Sequence, residues 1–201
     1  MKITITDRIL LLLTCLLAAY QIAMGIDGYS TLPVIAYSTA FGVLLVAGLL
    51  LLILGFEVLD SPIVVIVSTI IPLSLAIGLI SQYLTNYRVM YLIFAIIGFF
   101  AIVITRAFPI RNNFPLFILV IVHGVAGLII FSLPIILAFS GLARSGFLLI
   151  SVGGALISLG GLLLALLKAG KPLLSREIIF RVLPSLLLLM TAAFVAGFAL
   201  G

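Results

Sequence analysis

The chain has 201 residues, of which 66% are hydrophobic and only 7% are charged, and its mean hydropathy is +1.57. Soluble globular proteins carry roughly a quarter charged residues, so this composition excludes a water-soluble fold. The net charge is +5, but the basic residues are scattered rather than gathered into an aromatic-lined stripe, which argues against nucleic-acid binding.

Seven stretches of the sequence carry no Asp, Glu, Lys or Arg. A bilayer core roughly 30 Å thick is crossed by about 20 helical residues, the approximate length of each stretch. A transmembrane barrel would show shorter segments of alternating polarity. The sequence therefore predicts an all-α, polytopic bundle of seven transmembrane helices in one domain, residues 1–201. The predicted helices are Ile9–Ile26, Pro33–Phe56, Pro62–Gln82, Val89–Thr105, Pro115–Phe139, Gly146–Leu167 and Val182–Leu200.

The loops of a seven-helix chain alternate between the membrane faces, and the basic residues divide unequally between them. One face holds only Arg88 and Arg144. Because basic residues in short loops are retained in the cytoplasm, we expect a cytoplasmic N-terminus and a C-terminus outside or in a lumen. The basic residues of the predicted cytoplasmic face are Lys2, Arg8, Arg106, Arg111, Lys168, Lys171, Arg176 and Arg181.

Helices 1 and 2 carry polar side chains in the half predicted to face outward, at Tyr20, Gln21 and residues 37–39. One interpretation is that they line a vestibule. We favour the other, that they bond with one another, because a vestibule for charged solutes would itself carry charge. Several tyrosines are also expected near the outer interface, where amphipathic rings lie at the headgroup level. They are Tyr29, Tyr83, Tyr87 and Tyr91.

Helices 2 and 3 share a pattern with helices 6 and 7. Superposing Gly42 on Gly154 also aligns Gly48 with Gly160 and Pro72 with Pro184. The pattern predicts two parallel three-helix repeats joined by helix 4, an arrangement known among transporters. Coincidence is the alternative, and we favour it, because a topology inferred from one sequence is often wrong.

Three prolines, Pro72, Pro134 and Pro184, lie within helices 3, 5 and 7. Each removes one backbone hydrogen bond and predicts a kink. Ser68 and Thr69 precede Pro72 and are expected to bond the freed carbonyls. Such kinks serve as hinges in carriers or as static bends, and we favour static bends.

His123 in helix 5 is the one ionisable residue predicted to lie deep in the membrane, where such residues are costly and often functional. Gly124 and Gly127 follow it and leave room for a flat group or a neighbouring helix. We favour a neutral imidazole that forms a hydrogen bond across the bundle. Axial ligation of a haem or chlorophyll-like metal is a second interpretation, and a proton relay is a third. A covalent or nucleotide cofactor is not indicated.

Helix 6 carries small residues along one face. They are Ser151, Gly154, Ser158, Gly161 and Ala165. Steps of three and four residues align them, which is typical of close helix packing in membranes. We expect a large residue at Gly154 or Gly161 to disrupt the bundle.

The predicted cytoplasmic face carries both acidic and basic groups. Glu57 and Asp60 form an acidic loop, which we expect to pair with Arg106, Arg111 or the basic connection between Lys168 and Arg181. The apolar residues in that connection predict that it lies in the headgroup region.

The sequence carries no nucleotide-binding, zinc-protease or serine-nucleophile motif. The chain has one His, one Cys and five acidic residues, and we expect all five acidic residues to lie in loops or in the N-terminal tail. We therefore do not expect an enzyme. Helix 7 also lacks a Lys for a retinal Schiff base.

We expect a non-catalytic packing subunit of a larger respiratory or photosynthetic membrane complex, in a bacterial plasma membrane or an internal energy-transducing membrane. It would contact lipid, a flat cofactor, and other membrane chains or a second copy. A small transporter or channel is the alternative. Its solute would be neutral or lipophilic, because the predicted helices carry no acidic group to couple ions.

Overall fold

The computed structural model describes residues 3–26, 28–108, 113–168, 170 and 172–201. These residues form seven α-helices and no strand. The helices are α1 (Ile5–Met24), α2 (Thr31–Leu54), α3 (Pro62–Tyr83), α4 (Arg88–Ala107), α5 (Phe114–Phe139), α6 (Leu148–Lys168) and α7 (Arg176–Leu200). Short 3₁₀ helices occupy Phe56–Asp60, Thr85–Tyr87 and Ser145–Phe147. All seven helices are long and apolar enough to span a membrane, which confirms the predicted all-α polytopic bundle. The chain is a multi-pass membrane protein.

Helix α1 begins at Ile5, four residues before the predicted start at Ile9. Thr4 and Asp7 form a capping box. The Thr4 hydroxyl oxygen accepts the Asp7 N–H at 3.1 Å, and the Asp7 carboxylate accepts the Thr4 N–H at 2.9 Å. These bonds satisfy backbone donors that the helix itself leaves unpaired. A charged residue, Asp7, therefore lies inside α1. A search for charge-free stretches leaves this first turn out of the helix.

Helix α7 begins at Arg176 rather than at the predicted Val182. The Ser175 hydroxyl caps it by accepting the N–H of Ile178 at 3.3 Å. Glu177 lies in the first turn, where the helix dipole stabilises a negative charge. The expectation that all acidic residues lie outside helices is therefore wrong for Asp7 in α1 and for Glu177, both at helix starts.

Six helices form a ring, and α4 lies outside it. Helices α1, α2 and α3 pack in sequence, as do α5, α6 and α7, and the two sets meet where α3 contacts α5 and α7 contacts α1. Helix α4 packs on α3 and α5. Exchanging the two three-helix sets leaves the ring contacts unchanged, which is the relation that two parallel repeats require.

The glycines of the predicted repeat do not share equivalent contacts. A Cβ at Gly48 would meet the sulfur of Cys15 on α1, whereas a Cβ at Gly160 would meet Leu186 on α7. The ring contacts fit a repeat and the glycine contacts do not, so the repeat stays a prediction.

We call the face where α1, α3, α5 and α7 begin the amino-terminal face, and the opposite one the carboxy-terminal face. One core runs along the bundle, and a smaller one lies at the amino-terminal face, where Phe56 stacks on Phe180 with ring centroids 5.3 Å apart. These rings attach the α2–α3 connection to the start of α7.

The cytoplasmic orientation stays a prediction. Several residues used for the sequence predictions lie outside the described residues, namely Lys2, Arg111 and Lys171. The described basic residues near the amino-terminal face are Arg8, Arg106, Lys168, Arg176 and Arg181, and those near the carboxy-terminal face are Arg88 and Arg144.

Candidate functional site

A cavity of about 610 Å³ lies at the carboxy-terminal face, among the ends of α1, α3 and α7 and the α5–α6 connection. Its walls carry hydroxyl, amide and guanidinium groups as well as apolar side chains. The residues that give it this character are Tyr20, Gln21, Tyr29, Tyr83, Arg144 and Phe198. Tyr20 and Gln21, which the sequence singled out, therefore lie beside a cavity as the vestibule interpretation expected.

Gln21 and Thr39 bond backbone carbonyls one turn away in the chain. The Gln21 side-chain amide donates to the Gly25 carbonyl at 2.9 Å, and the Thr39 hydroxyl donates to the Ile35 carbonyl at 2.8 Å. The expectation that Gln21 and Thr39 bond with polar side chains of the neighbouring helix is wrong. A backbone carbonyl one turn away accepts the hydrogen bond without requiring the two helices to approach each other.

A cluster of aromatic rings lies behind the cavity. The Tyr29 and Tyr83 hydroxyls are 2.7 Å apart, and the Tyr37 ring centroid lies 4.5 Å from that of Phe198. The Tyr83 centroid lies 5.4 Å from that of Phe147. We call these five residues the aromatic seal. They join α2 to α7, and α3 to the 3₁₀ turn before α6.

The Tyr29 phenol is held in its neutral form. Burial raises the pKa of Tyr29, and its hydrogen bond with Tyr83 raises the pKa further. Loss of the proton would place a negative charge in a poorly solvated site and would also remove one possible donor. The Tyr29–Tyr83 bond is therefore present throughout the physiological pH range.

The Tyr37 hydroxyl is buried without a hydrogen-bond partner among the described residues. Its ring is 1% exposed, and the missing side chain of Gly78 on α3 makes room for it, since a Cβ at Gly78 would collide with the ring. An unpaired buried hydroxyl costs about 1–3 kcal/mol. Tyr37 thus presents an unused donor and acceptor just behind Tyr29 and Phe198, which line the cavity.

His123 faces the interior of the bundle. Leu119, Ala126 and Ile130, on the same side of α5, are all buried, but His123 itself is only partly buried. Its Nδ1 lies 3.2 Å from the Leu119 carbonyl oxygen, a contact that assigns the proton to Nδ1 and leaves Nε2 as an acceptor. The bond runs along α5 rather than across the bundle, where the sequence interpretation had placed it.

The small residues of α6 pack tightly in one half of the helix. A Cβ at Gly154 would lie 2.8 Å from a methyl carbon of Ile130, and a Cβ at Gly127 would lie 2.7 Å from the Ser158 hydroxyl oxygen. A Cβ at Gly161, on the same face as Gly154, would have nothing within 4 Å. The face of α6 that carries these small residues, which we call the stripe, therefore packs closely on α5 only toward the carboxy-terminal face.

The two ends of the stripe differ as well. Ser151 is buried, and its hydroxyl has no partner within the described part of the chain. It borders an apolar groove of about 420 Å³ between α5 and α6, which Phe131 and Val152 also line. Ala165 is partly buried against the main core.

Helices α5 and α6 separate toward the amino-terminal face. They run antiparallel, so the close approaches of Gly154 to Ile130 and of Ser158 to Gly127 place Gly161 level with His123. On α3, residues 64–68 are all partly exposed over more than one turn, whereas residues 71–76 are all buried. We call the region of partly or fully exposed residues that contains His123, Gly161 and residues 64–68 the amino-terminal cleft.

Pro72, Pro134 and Pro184 are buried inside α3, α5 and α7. The Ser68 and Thr69 hydroxyls both donate to the Val65 carbonyl, at 3.1 and 2.7 Å. Pro72 has no N–H, so the carbonyl of residue 68 is left without its helical hydrogen bond. The two hydroxyls bond a carbonyl about one turn earlier, and they therefore do not bond the freed carbonyl as predicted.

Charged residues surround the mouth of the cleft. Arg176 donates to Asp60 at 2.7 Å, which confirms the expected pairing of the acidic loop with the basic connection. Arg106 lies within electrostatic range of both Lys168 and His123. The Arg106 Nε is shielded from solvent and has no hydrogen-bond partner among the residues described. In the sequence predictions, Arg106 and Lys168 assign the membrane orientation and are candidate partners of the acidic loop.

Among the described residues, no three His, Cys, Asp or Glu side chains lie close enough together to hold a metal ion. The chain matches no protein-family model, no curated protein and no solved structure.

Proposed function

We propose that this chain is a small transporter for a neutral or lipophilic solute, in which α1–α3 and α5–α7 move against each other. The observation that supports this most is the difference between the two faces of the bundle. The aromatic seal joins the two sets at the carboxy-terminal face. At the amino-terminal face Phe56 and Phe180 join the α2–α3 connection to α7, but the amino-terminal cleft leaves the α5–α6 side open.

The contacts of the seal link one set to the other. Tyr37 of α2 meets Phe198 of α7, and Tyr83 of α3 meets Phe147 before α6. A carrier with parallel repeats exposes its site by rocking one set against the other. Opening the aromatic seal while closing the amino-terminal cleft would move the solute between the cleft and the cavity at the carboxy-terminal face.

A packing subunit of a larger respiratory or photosynthetic complex is the competing function, which the sequence favours because charges and motifs are missing. A subunit of that kind needs dry helix contacts at both faces and has no use for an interior that opens at one of them. We therefore rank it second, and the test of transport separates the two.

The test is flux through proteoliposomes whose seal can be locked. In a Cys15→Ala background, Tyr83→Cys with Phe147→Cys links the two sets when a short bismaleimide is added. We expect purified protein to accelerate the entry of glycerol or the translocation of a fluorescent lipid over protein-free liposomes, and the cross-link to abolish the acceleration.

Tyr29→Cys with Tyr83→Cys is the matched control, because both residues belong to the α1–α3 set. Its cross-link should leave the flux unchanged. If neither solute crosses faster than in protein-free liposomes, transport of this class is wrong, and co-purification with other membrane chains would then support the packing subunit.

A further inference from the structure

The cleft has a lipid-accessible side. Gly124 on α5 is exposed, and a Cβ there would have nothing within 4 Å. Gly161 on α6 is equally open and lies level with the neighbouring His123. The space between α5 and α6 at this depth therefore admits an acyl chain from the surrounding bilayer, whose own tails are as apolar as the helix surfaces.

The mouth of the cleft carries positive charge. Gly154, Gly161 and Lys168 follow one another at seven-residue steps on α6 and so share one face of the helix. Lys168 thus lies on the side that borders the cleft, nearer the amino-terminal face. Arg106 ends α4 and is within electrostatic range of Lys168 and of His123.

The acid within electrostatic range of Lys168 is already paired with a third cation, Arg176. Asp60 is within range of Lys168, but Arg176 binds its carboxylate at 2.7 Å. Two neighbouring cations repel each other, and the shielded Arg106 Nε needs an acceptor. An anionic oxygen between Arg106 and Lys168 would remove the repulsion and accept from both side chains, since guanidinium and ammonium groups both bind phosphate and carboxylate.

We infer that the amino-terminal cleft binds an amphiphile with a phosphate or carboxylate headgroup, held between Arg106 and Lys168 with its acyl chain beside Gly161 and His123. The inference deepens the proposed function, because it rests on the same cleft and assigns the lipophilic solute an acidic head. The Nε2 of His123, beside the acyl chain, can accept a hydrogen bond from a hydroxyl on that chain.

Binding is measured by thermal unfolding of the purified protein in a nonionic detergent. Cys15, 4% exposed, is the chain's single cysteine, so a fluorogenic maleimide reports unfolding. We expect dodecyl phosphate and dodecanoate to raise the unfolding temperature at concentrations where dodecanol does not. Arg106→Gln and Lys168→Gln should each weaken dodecyl phosphate binding roughly tenfold or more, the effect of losing one charge-assisted hydrogen bond.

Arg88→Gln, at the opposite end of α4 from Arg106, is the matched control and should leave the shift unchanged. Arg106→Lys and Lys168→Arg keep the charges and should retain most of it, which separates binding from folding. If inorganic phosphate produces the same shift as dodecyl phosphate, the ligand is a free anion and the amphiphile is wrong.

No shift in the wild-type protein, or an equal shift in the Arg106→Gln, Lys168→Gln double variant, overturns the inference altogether. Equilibrium binding in detergent requires no transport. If the protein binds dodecyl phosphate but accelerates no flux, the proposed function is wrong and the binding site stands. If it accelerates flux but does not bind dodecyl phosphate, the acidic headgroup is wrong and the proposed function stands.

Discussion

Gly161 of α6 lies level with His123 of α5, and a Cβ at Gly161 would touch nothing within 4 Å. About two helical turns away on the same face, Gly154 is in close contact with Ile130. One face of α6 therefore changes from dense packing to open space over a short distance. This change marks the boundary between the main core and the amino-terminal cleft.

Alanine at Gly154 and at Gly161 should have different effects on stability. At Gly154 the added carbon would lie 2.8 Å from a methyl carbon and 3.1 Å from a backbone carbon of Ile130, so α5 and α6 must separate. We expect a loss of about 1–3 kcal/mol in unfolding free energy, as for other overpacked cores. At Gly161 we expect no loss, or a gain of up to about 1 kcal/mol from helix propensity.

The measurement is unfolding in detergent followed by maleimide labelling of Cys15, with the two variants compared at equal concentration. Equal destabilisation by both substitutions would mean that α5 and α6 are also in contact at Gly161, and the amino-terminal cleft would then not exist.

The Tyr29–Tyr83 bond predicts non-additive substitutions. Tyr83→Phe or Tyr29→Phe alone removes one partner and leaves the other hydroxyl without this hydrogen bond, which should cost about 1 kcal/mol. Removing both hydroxyls should cost less than the sum of the two single changes. A double-mutant cycle in the same unfolding assay measures the coupling. Tyr87→Phe, an exposed position on the neighbouring 3₁₀ turn, is the control and should have no effect.

The sequence determines the number of helices in this chain more reliably than their ends. Charge-free length suffices to identify a span, because an unpaired charge in hydrocarbon is costly. This reasoning does not apply to Asp7 and Glu177, because each lies in the first turn of its helix, at the membrane boundary. A capping bond stabilises the charge of Asp7, and the helix dipole stabilises that of Glu177. The predicted α1 and α7 were too short at their beginnings for this reason.

Periodicity predicts a shared face but not what lies opposite it. The spacing of Gly154 and Gly161 places both on one side of α6, and it carries no information on where α5 diverges. Similarly, Tyr29, Tyr83 and Tyr91 are all expected near the interface. In the structure Tyr29 and Tyr83 bond each other and Tyr91 is buried with an unpaired hydroxyl among the described residues. Those differences come from tertiary contacts between residues far apart in the chain.

Tyr37→Phe should separate stability from function. The Tyr37 hydroxyl is buried with no partner in the described part of the bundle, so its removal should raise the unfolding free energy by about 1–3 kcal/mol. If the hydroxyl contacts the solute as it passes the seal, flux in proteoliposomes should fall at the same time, a trade-off common at functional positions. Unchanged flux in a more stable variant would remove Tyr37 from the pathway.

His123→Leu tests the cofactor interpretation. Within the described residues the ring bonds the Leu119 carbonyl of its own helix, at 3.2 Å, and no other helix. We therefore expect its loss to change stability by less than about 1 kcal/mol. A haem or chlorophyll-like ligand on Nε2 would instead give the purified wild-type protein a visible absorbance band that the variant lacks. Absorbance spectra of the two proteins at equal concentration decide between these outcomes.

The loop charges predict which connections face the cytoplasm, and two exposed leucines allow a direct test. Leu142 lies in the α5–α6 connection at the carboxy-terminal face, and Leu173 lies before α7 at the amino-terminal face. In a Cys15→Ala background, Leu142→Cys should react with a membrane-impermeant maleimide in intact bacterial cells. Leu173→Cys should react only after permeabilisation, because the basic residues keep that face inside. The reverse pattern would invert the orientation. Labelling of both from one side would contradict the odd number of crossings, because α6 alone separates the two positions.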